Sequence, residues 1–140
     1  MRIVIPINPI TKKNSQQIIY NKALNRSFLI PSKQYREYEL MAGQYLLSVR
    51  KGIDYPVNIK CVYYMKTKRK VDLVNLQEAT LDVLVKYGVI KDDNSSIVVS
   101  MDGSRVEYDK LSPRTEIWIE DLSNLTGACC DGDGIKTQTQ

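Results

Sequence analysis

The sequence contains no histidine, and this absence narrows the chemistry that the chain can perform. Without an imidazole, serine–histidine and cysteine–histidine nucleophiles are excluded, as are histidine general bases and most transition-metal sites. A catalytic site in this protein must therefore be built from carboxylates, lysines or tyrosines, together with a hard metal ion if it uses one.

Cysteine and long apolar runs are also scarce. The 3 cysteines among 140 residues are too few for a disulfide framework; Cys61 is expected to be a buried thiol, and the adjacent Cys129 and Cys130 lack the spacing of a zinc site. No apolar stretch approaches the roughly 20 residues that span a bilayer. The apolar N-terminus is broken by prolines and is not typical of a signal peptide. We therefore expect a cytoplasmic protein without membrane segments.

The net charge of +4 is unevenly distributed along the chain. Residues 1–70 contain 14 lysines and arginines against 3 acidic residues, and residues 71–140 contain 6 against 13. The halves therefore carry about +11 and −7. This split suggests an anionic partner for the first half, although scattered solvated lysines would give the same count.

Hydrophobic periodicity predicts an α+β fold. In the second predicted helix, Leu76, Ala79, Thr80, Val83, Leu84 and Tyr87 form the buried stripe. In the first, Tyr38, Met41, Ala42 and Tyr45 follow the same helical spacing. We assign residues 1–122 to one domain and 123–140 to a flexible polar tail. The expected elements are a strand at 2–7, a hairpin from 17–20 and 27–30, a helix beginning after Ser32, a strand at 57–65, a helix at 72–87, and strands at 97–101 and 116–121.

Most of the informative residues lie in RKVDLVNLQEATLDVLVKYGVIKDDNSS, residues 69–96. Helical spacing places Asn75, Glu78, Asp82 and Lys86 on one polar face. Asp72 begins the helix as its expected N-cap. The pair Asp92-Asp93 follows the helix and can approach Asp72 only if the returning segment packs back alongside it.

A carboxylate cluster beside a run of lysine and arginine suits metal-dependent cleavage of nucleic acid. Mg²⁺ prefers oxygen ligands, and hard metal ions can activate water and stabilise a phosphodiester transition state without histidine. Each feature also has a purely structural interpretation. Asp72 can be only a helix cap, the acidic pair only a turn, and the polar helix face only a solvated surface.

The stretch RKVDLVNLQEATLDVLVKYGVIKDD resembles the signature of the RusA family of Holliday-junction resolvases. The resemblance is carried by a basic run, an Asp-x-x-Asn-Leu sequence, the Leu-Asp-x-Leu of the helix, and a Gly followed by paired aspartates. It implies a small mixed β-sheet packed with two main helices. It also implies a homodimer that cuts four-way DNA junctions by Mg²⁺-dependent hydrolysis, with Mn²⁺ as an alternative metal.

Two positions depart from the family pattern. Val74 stands where the family has a second aspartate, and Glu78 stands where it has a lysine. We hypothesise that Glu78 replaces the missing metal-binding oxygen, so that Glu78→Gln would lose cleavage about as severely as Asp93→Asn. In the rival hypothesis the site has lapsed, which leaves a catalytically silent DNA-junction-binding dimer. A protein-interaction module that keeps only the scaffold is a third alternative.

The resemblance assigns roles to individual residues. Asp72 and Asp93 are the expected catalytic residues, joined by Glu78 and Lys70 as the hypothesised replacements for the missing aspartate and the missing lysine. Asn75 and Asp82 are expected to lie next to these residues and orient them without contacting the metal. The lost lysine could also be replaced by Lys68 or a lysine of the first loop. The expected metal ligands are Asp72, Glu78, Asp92 and Asp93, and the expected DNA-binding residues are Lys12, Lys13, Asn14, Lys66, Lys68, Arg69 and Lys70.

Overall fold

The fold joins one mixed β-sheet to two helices, in agreement with the predicted α+β class. The computed structural model describes residues 1–12 and 16–125, without the side chains of residues 16 and 17. The elements are β1 (Arg2–Ile5), β2 (Gln16–Asn21), β3 (Arg26–Pro31), α1 (Lys33–Leu46) with a 3-10 turn (Leu47–Val49), β4 (Val57–Met65), α2 (Leu73–Lys86), β5 (Val98–Ser100), β6 (Arg105–Tyr108) and β7 (Arg114–Asp121).

The main sheet is centred on β4 and β7. Its order is β1-β7-β4, with antiparallel pairing throughout. The far side of β4 is shared by two short parallel strands, β5 at the Val57 end and β6 at the Met65 end. The strands β2 and β3 form a separate hairpin. Because β4 and β5 are parallel and α2 connects them, α2 must carry the chain back from the Met65 end of β4 to its Val57 end.

The core lies between the sheet and the two helices. Alternate residues of β4, namely Val57, Ile59, Cys61 and Tyr63, are buried against the helices together with Ile117 of β7. This is the face that the period-two pattern predicts. Burial raises the pKa of the Cys61 thiol to about 12, so the expectation of an inert buried cysteine is confirmed.

Helix α1 begins where the sequence predicts but buries a different stripe. Ser32 caps it by accepting a hydrogen bond from the Tyr35 amide at 3.1 Å. The buried side chains include Tyr35, Tyr38 and Leu46, whereas Met41 and Tyr45 are 47% and 45% exposed. The prediction that these last two face the core is wrong, because the helix is rotated so that the row containing Tyr35 meets the sheet.

Helix α2 agrees closely with its predicted stripe. Leu76, Ala79, Thr80, Val83 and Leu84 are all buried. The Tyr63 and Thr80 hydroxyls share a buried hydrogen bond of 2.8 Å, which ties α2 to β4. The chain leaves the helix through Gly88, whose φ of +76° is the left-handed conformation that ends many helices.

One strand was not anticipated from the sequence. All four side chains of β6 are exposed. A strand without a buried face needs no alternation of apolar and polar residues, so the sequence has no pattern from which β6 could be predicted. Its strand conformation comes from hydrogen bonding to the edge of β4. In the described part of the chain, no helix is long and apolar enough to cross a bilayer.

Candidate active site and DNA-binding surface

Asp72 occupies the N-cap position of α2 without acting as a side-chain cap. Its backbone is extended, and its carboxylate forms no capping hydrogen bond. The carboxylate instead accepts a hydrogen bond of 3.3 Å from the Asn75 side-chain amide and is exposed to solvent. The structural interpretation of Asp72 as an ordinary cap is therefore weakened, because its oxygens accept no hydrogen bond from the backbone amides that a cap would bind.

The basic loop, Lys66–Lys70, lies directly before Asp72. Its backbone is tied to the segment after β1, because the Asn8 side-chain oxygen accepts a hydrogen bond of 2.9 Å from the Lys66 amide. Lys68 lies 5.0 Å from the centre of the Tyr108 ring. Within residues 1–12 and 16–125, no carboxylate lies within salt-bridge distance of the four cations of this loop, which are all exposed (Lys66, Lys68, Arg69 and Lys70).

The acidic pair after α2 divides into two different environments. Asp92 accepts hydrogen bonds at 2.8 Å from the Asp93 amide and from the Asn94 side chain, so both its oxygens stabilise the turn. Asp93 is also exposed, and among the described residues no group donates a hydrogen bond to its carboxylate. Of the two, Asp93 is therefore the one whose carboxylate oxygens are available to a ligand.

The structure places Asp72 and Asp93 at opposite ends of α2. The 14 residues of α2 rise about 21 Å. The returning segment is held at the far end, where Gly52 donates to Gly88 at 2.9 Å and Lys91 donates to Ile53 at 2.8 Å.

Asp93 is two residues beyond Lys91, a reach of about 7 Å. Asp93 therefore lies near the far end of α2, away from Asp72. The segment after α2 does not fold back along the helix toward Asp72, because its backbone hydrogen bonds to Gly52 and Ile53 hold it beside the chain that precedes β4.

The polar face of α2 forms ion pairs that the sequence could not identify. Asp82 lies 3.6 Å from the Lys12 ammonium, and Lys86 lies 2.7 Å from Glu39 of α1. The hydrogen bond that Lys86 donates to Glu39 raises the pKa of Lys86. Glu78 is exposed on the same face. Asp82 and Lys86 thus help to hold α2 against its neighbours.

The donor chemistry of the expected ligands fits a hard metal ion, but one chain does not bring them together. Asp72 and Asp93 present exposed carboxylate oxygens, which Mg²⁺ prefers. No group of three or more His, Cys, Asp or Glu side chains that could hold a metal ion occurs in the part of the chain that the structure describes. Lys13 and Asn14, expected at the DNA, lie outside the described residues, as does most of the predicted tail.

A cavity of about 260 Å³ adjoins the basic loop and was not foreseen from the sequence. Its walls include Asn8 and Gln34, which are distant in sequence from the loop residues Thr67, Arg69 and Lys70. The proximity of Asn8 to Lys66 is a tertiary contact, and nothing in the local pattern around Gln34 indicates it. Only the basic run could have pointed to this region.

Comparison with known proteins gives one family match. Residues 6–120 match the family model described as Endodeoxyribonuclease RusA. The match includes both main helices and the whole of the main sheet except β1 and the last residue of β7. A search of curated proteins finds no match to this chain.

Proposed function

Because the chain belongs to the RusA endodeoxyribonuclease family, we propose that it is a structure-selective endonuclease that resolves four-way DNA junctions with Mg²⁺. The observation that carries this proposal is the group of exposed cations next to Asp72, to which no carboxylate among the described residues is paired. Such a group attracts phosphates through charge and counterion release. It would hold a DNA strand at the end of α2 where Asp72 presents its carboxylate.

The proposed roles follow from the contacts of each residue. Asp72 and Asp93 would be the principal metal ligands, because their oxygens are exposed and need not break an ion pair. Glu78 and Asp92 would add oxygens, the latter only if its turn opens. A bound hard metal ion would activate water and stabilise the charge of the phosphodiester transition state. Lys70 would contribute positive charge at the same phosphate.

A homodimer would overcome the separation of Asp72 and Asp93. If the two-fold axis of the dimer is perpendicular to two α2 helices that lie side by side, the helices run antiparallel, and the first turn of one meets the end of the other. Each site would then take Asp72 from one chain and Asp93 from the second chain. The outward face of α1 also supports an interface, because Leu40 and Met41 are 62% and 47% exposed.

A catalytically silent junction-binding dimer is the second candidate. It is favoured by Val74, which is 62% exposed where the family has an aspartate, and by the missing carboxylate cluster in the described residues of one chain. Such a protein would keep the basic loop and its phosphate contacts without hydrolysing the strand.

The two candidates are separated by binding and cleavage assays on the same DNA. Labelled four-way junction and linear duplex are incubated with the protein in Mg²⁺, in Mn²⁺ and in chelator. The nuclease cuts the junction in metal and binds it in chelator. Binding without incision in either metal favours the silent dimer, and failure to bind DNA at low salt removes both candidates.

A matched pair of variants locates the active site. Asp72→Asn should bind the junction but lose cleavage, because the amide keeps the shape and lacks the charge that a metal ligand needs. Asp102→Asn, in the exposed turn between β5 and β6, should cleave as the wild type does. Equal cleavage by both variants would contradict a metal site at Asp72.

A further inference from the structure

The cavity beside the basic loop lies between three segments that are distant in sequence and opens to solvent. The chain after β1, the first turn of α1 and the loop between β4 and α2 converge on it. The hydrogen bond from the Lys66 amide to Asn8 joins two of these walls.

The charge of the cavity favours an anion. Arg69 and Lys70 are its only charged lining residues in the part of the chain described here. The first turn of α1, which contributes Gln34, contains no acidic residue. The amides at that helix terminus add to the positive potential that the two side chains create. A phosphate therefore meets no opposing carboxylate on the walls.

The size and the remaining walls favour a single nucleotide. The cavity has a volume of about 260 Å³. Pro9, Ile10 and Met65 supply apolar surface, and the amides of Asn8 and Gln34 supply donors and acceptors suited to the edge of a base.

We propose that this cavity takes one unstacked nucleotide from the branch point of the DNA, and that this gives the protein its preference for branched DNA. The phosphate binds Arg69 and Lys70, and the base enters between the apolar wall and Gln34. Removing a base from a continuous duplex costs free energy, whereas a base that is already unpaired enters at little cost. The inference rests on the proposed function and names the source of its substrate preference.

The first test compares two glutamines of the same helix. Gln34→Glu places a negative charge of nearly the same shape at the cavity, and Gln44→Glu places it on the exposed surface of α1 away from the cavity. Affinities for junction and for duplex are measured in chelator, so that no strand is cut. The junction-to-duplex affinity ratio should fall about tenfold in Gln34→Glu, a change equivalent to losing one base contact, and should stay at the wild-type value in Gln44→Glu.

The second test follows the base directly. A fluorescent adenine analogue, 2-aminopurine, is placed at the branch point of the junction and at the matching position of the duplex. Wild-type protein should raise its emission on the junction alone, because the analogue brightens when it leaves the stack. Thr67→Leu, which adds apolar bulk at an exposed wall of the cavity, should reduce this rise. Circular dichroism verifies that each variant is folded.

The outcomes distinguish this inference from the proposed function. If wild-type protein prefers the junction and both cavity variants keep that preference and the emission rise, the cavity is not the source of selectivity and only this inference is overturned. If wild-type protein binds junction and duplex equally, the proposed substrate is wrong and the inference is overturned with it. The junction-to-duplex affinity ratio could fall in Gln34→Glu while wild-type protein leaves the 2-aminopurine emission unchanged. That result would mean that the cavity binds phosphate alone, which also overturns the inference.

Discussion

Mixing two inactive variants would test whether each active site is shared between two chains. Asp72→Asn and Asp93→Asn should each abolish cleavage alone. Their carboxylates lie at opposite ends of a helix that rises about 21 Å, with the return segment fixed at the far end by the Lys91–Ile53 hydrogen bond of 2.8 Å. One ion holds its oxygen ligands at about 2–2.6 Å, so it cannot take both carboxylates from one chain.

The expected recovery can be calculated from the symmetry. In a dimer of one Asp72→Asn chain and one Asp93→Asn chain, one site contains both substitutions and the other contains neither. When equal amounts of the variants exchange at random, half of the dimers are mixed, so about a quarter of all sites are intact. The initial rate of nicking a labelled junction should therefore recover to about a quarter of the wild-type rate.

Nicking must be measured rather than paired incision, because a mixed dimer has only one intact site. The two variants are mixed and incubated long enough for subunits to exchange before the junction and Mg²⁺ are added. The control is the Asp72→Asn variant alone, at the same total protein concentration. A mixture that remains as inactive as either variant, with exchange verified by differently tagged chains, would refute the shared site.

Three further predictions concern single residues. Glu78→Gln should lose metal-dependent cleavage while keeping junction affinity in a binding assay, and a fully active variant would show that Glu78 is not the replacement ligand. The hydrogen bond from Arg114 lowers the pKa of Glu116. The charged carboxylate therefore stabilises the fold above its unfolded pKa of about 4.3, and this stabilisation is lost as the pH falls through the lower folded pKa. In urea unfolding, Glu116→Gln should lower the free energy of unfolding by about 1–3 kcal/mol at pH 7 and by almost nothing near pH 2, whereas a pH-independent difference would contradict this. Gly43→Ala should lower the thermal midpoint although alanine favours helix by about 1 kcal/mol, because its Cβ would overlap the ring of Tyr87 and overpacking costs about 1–3 kcal/mol; a raised midpoint would mean that the ring moves aside freely.

Much of the fold was predictable because its strongest signals are local. Strand β4 has the same bounds as its predicted strand, and α2 differs from its prediction by one residue at each end. Both have a clear period and a glycine or proline near a boundary. The stripe of α1 was mispredicted, because several apolar residues lie on more than one side of that helix and spacing alone does not say which side meets the sheet.

For the site, the sequence by itself determined the chemistry. The absence of histidine, the basic run before Asp72 and the acidic pair after α2 limit a catalytic site to carboxylates and cations, with a hard metal ion in the function proposed above. These conclusions need only residue identity and order. The same is true of family membership, which depends on motifs along one stretch of chain.

Only the tertiary structure decided which of these residues can act together. The pairing of the return segment with the chain before β4 separates Asp93 from Asp72, and the approach of the α1 terminus to the basic loop creates the cavity that includes Gln34. Both depend on hydrogen bonds and packing between segments far apart in sequence. Since local periodicity contains no information about such contacts, the sequence could name the charged groups but not the distances between them.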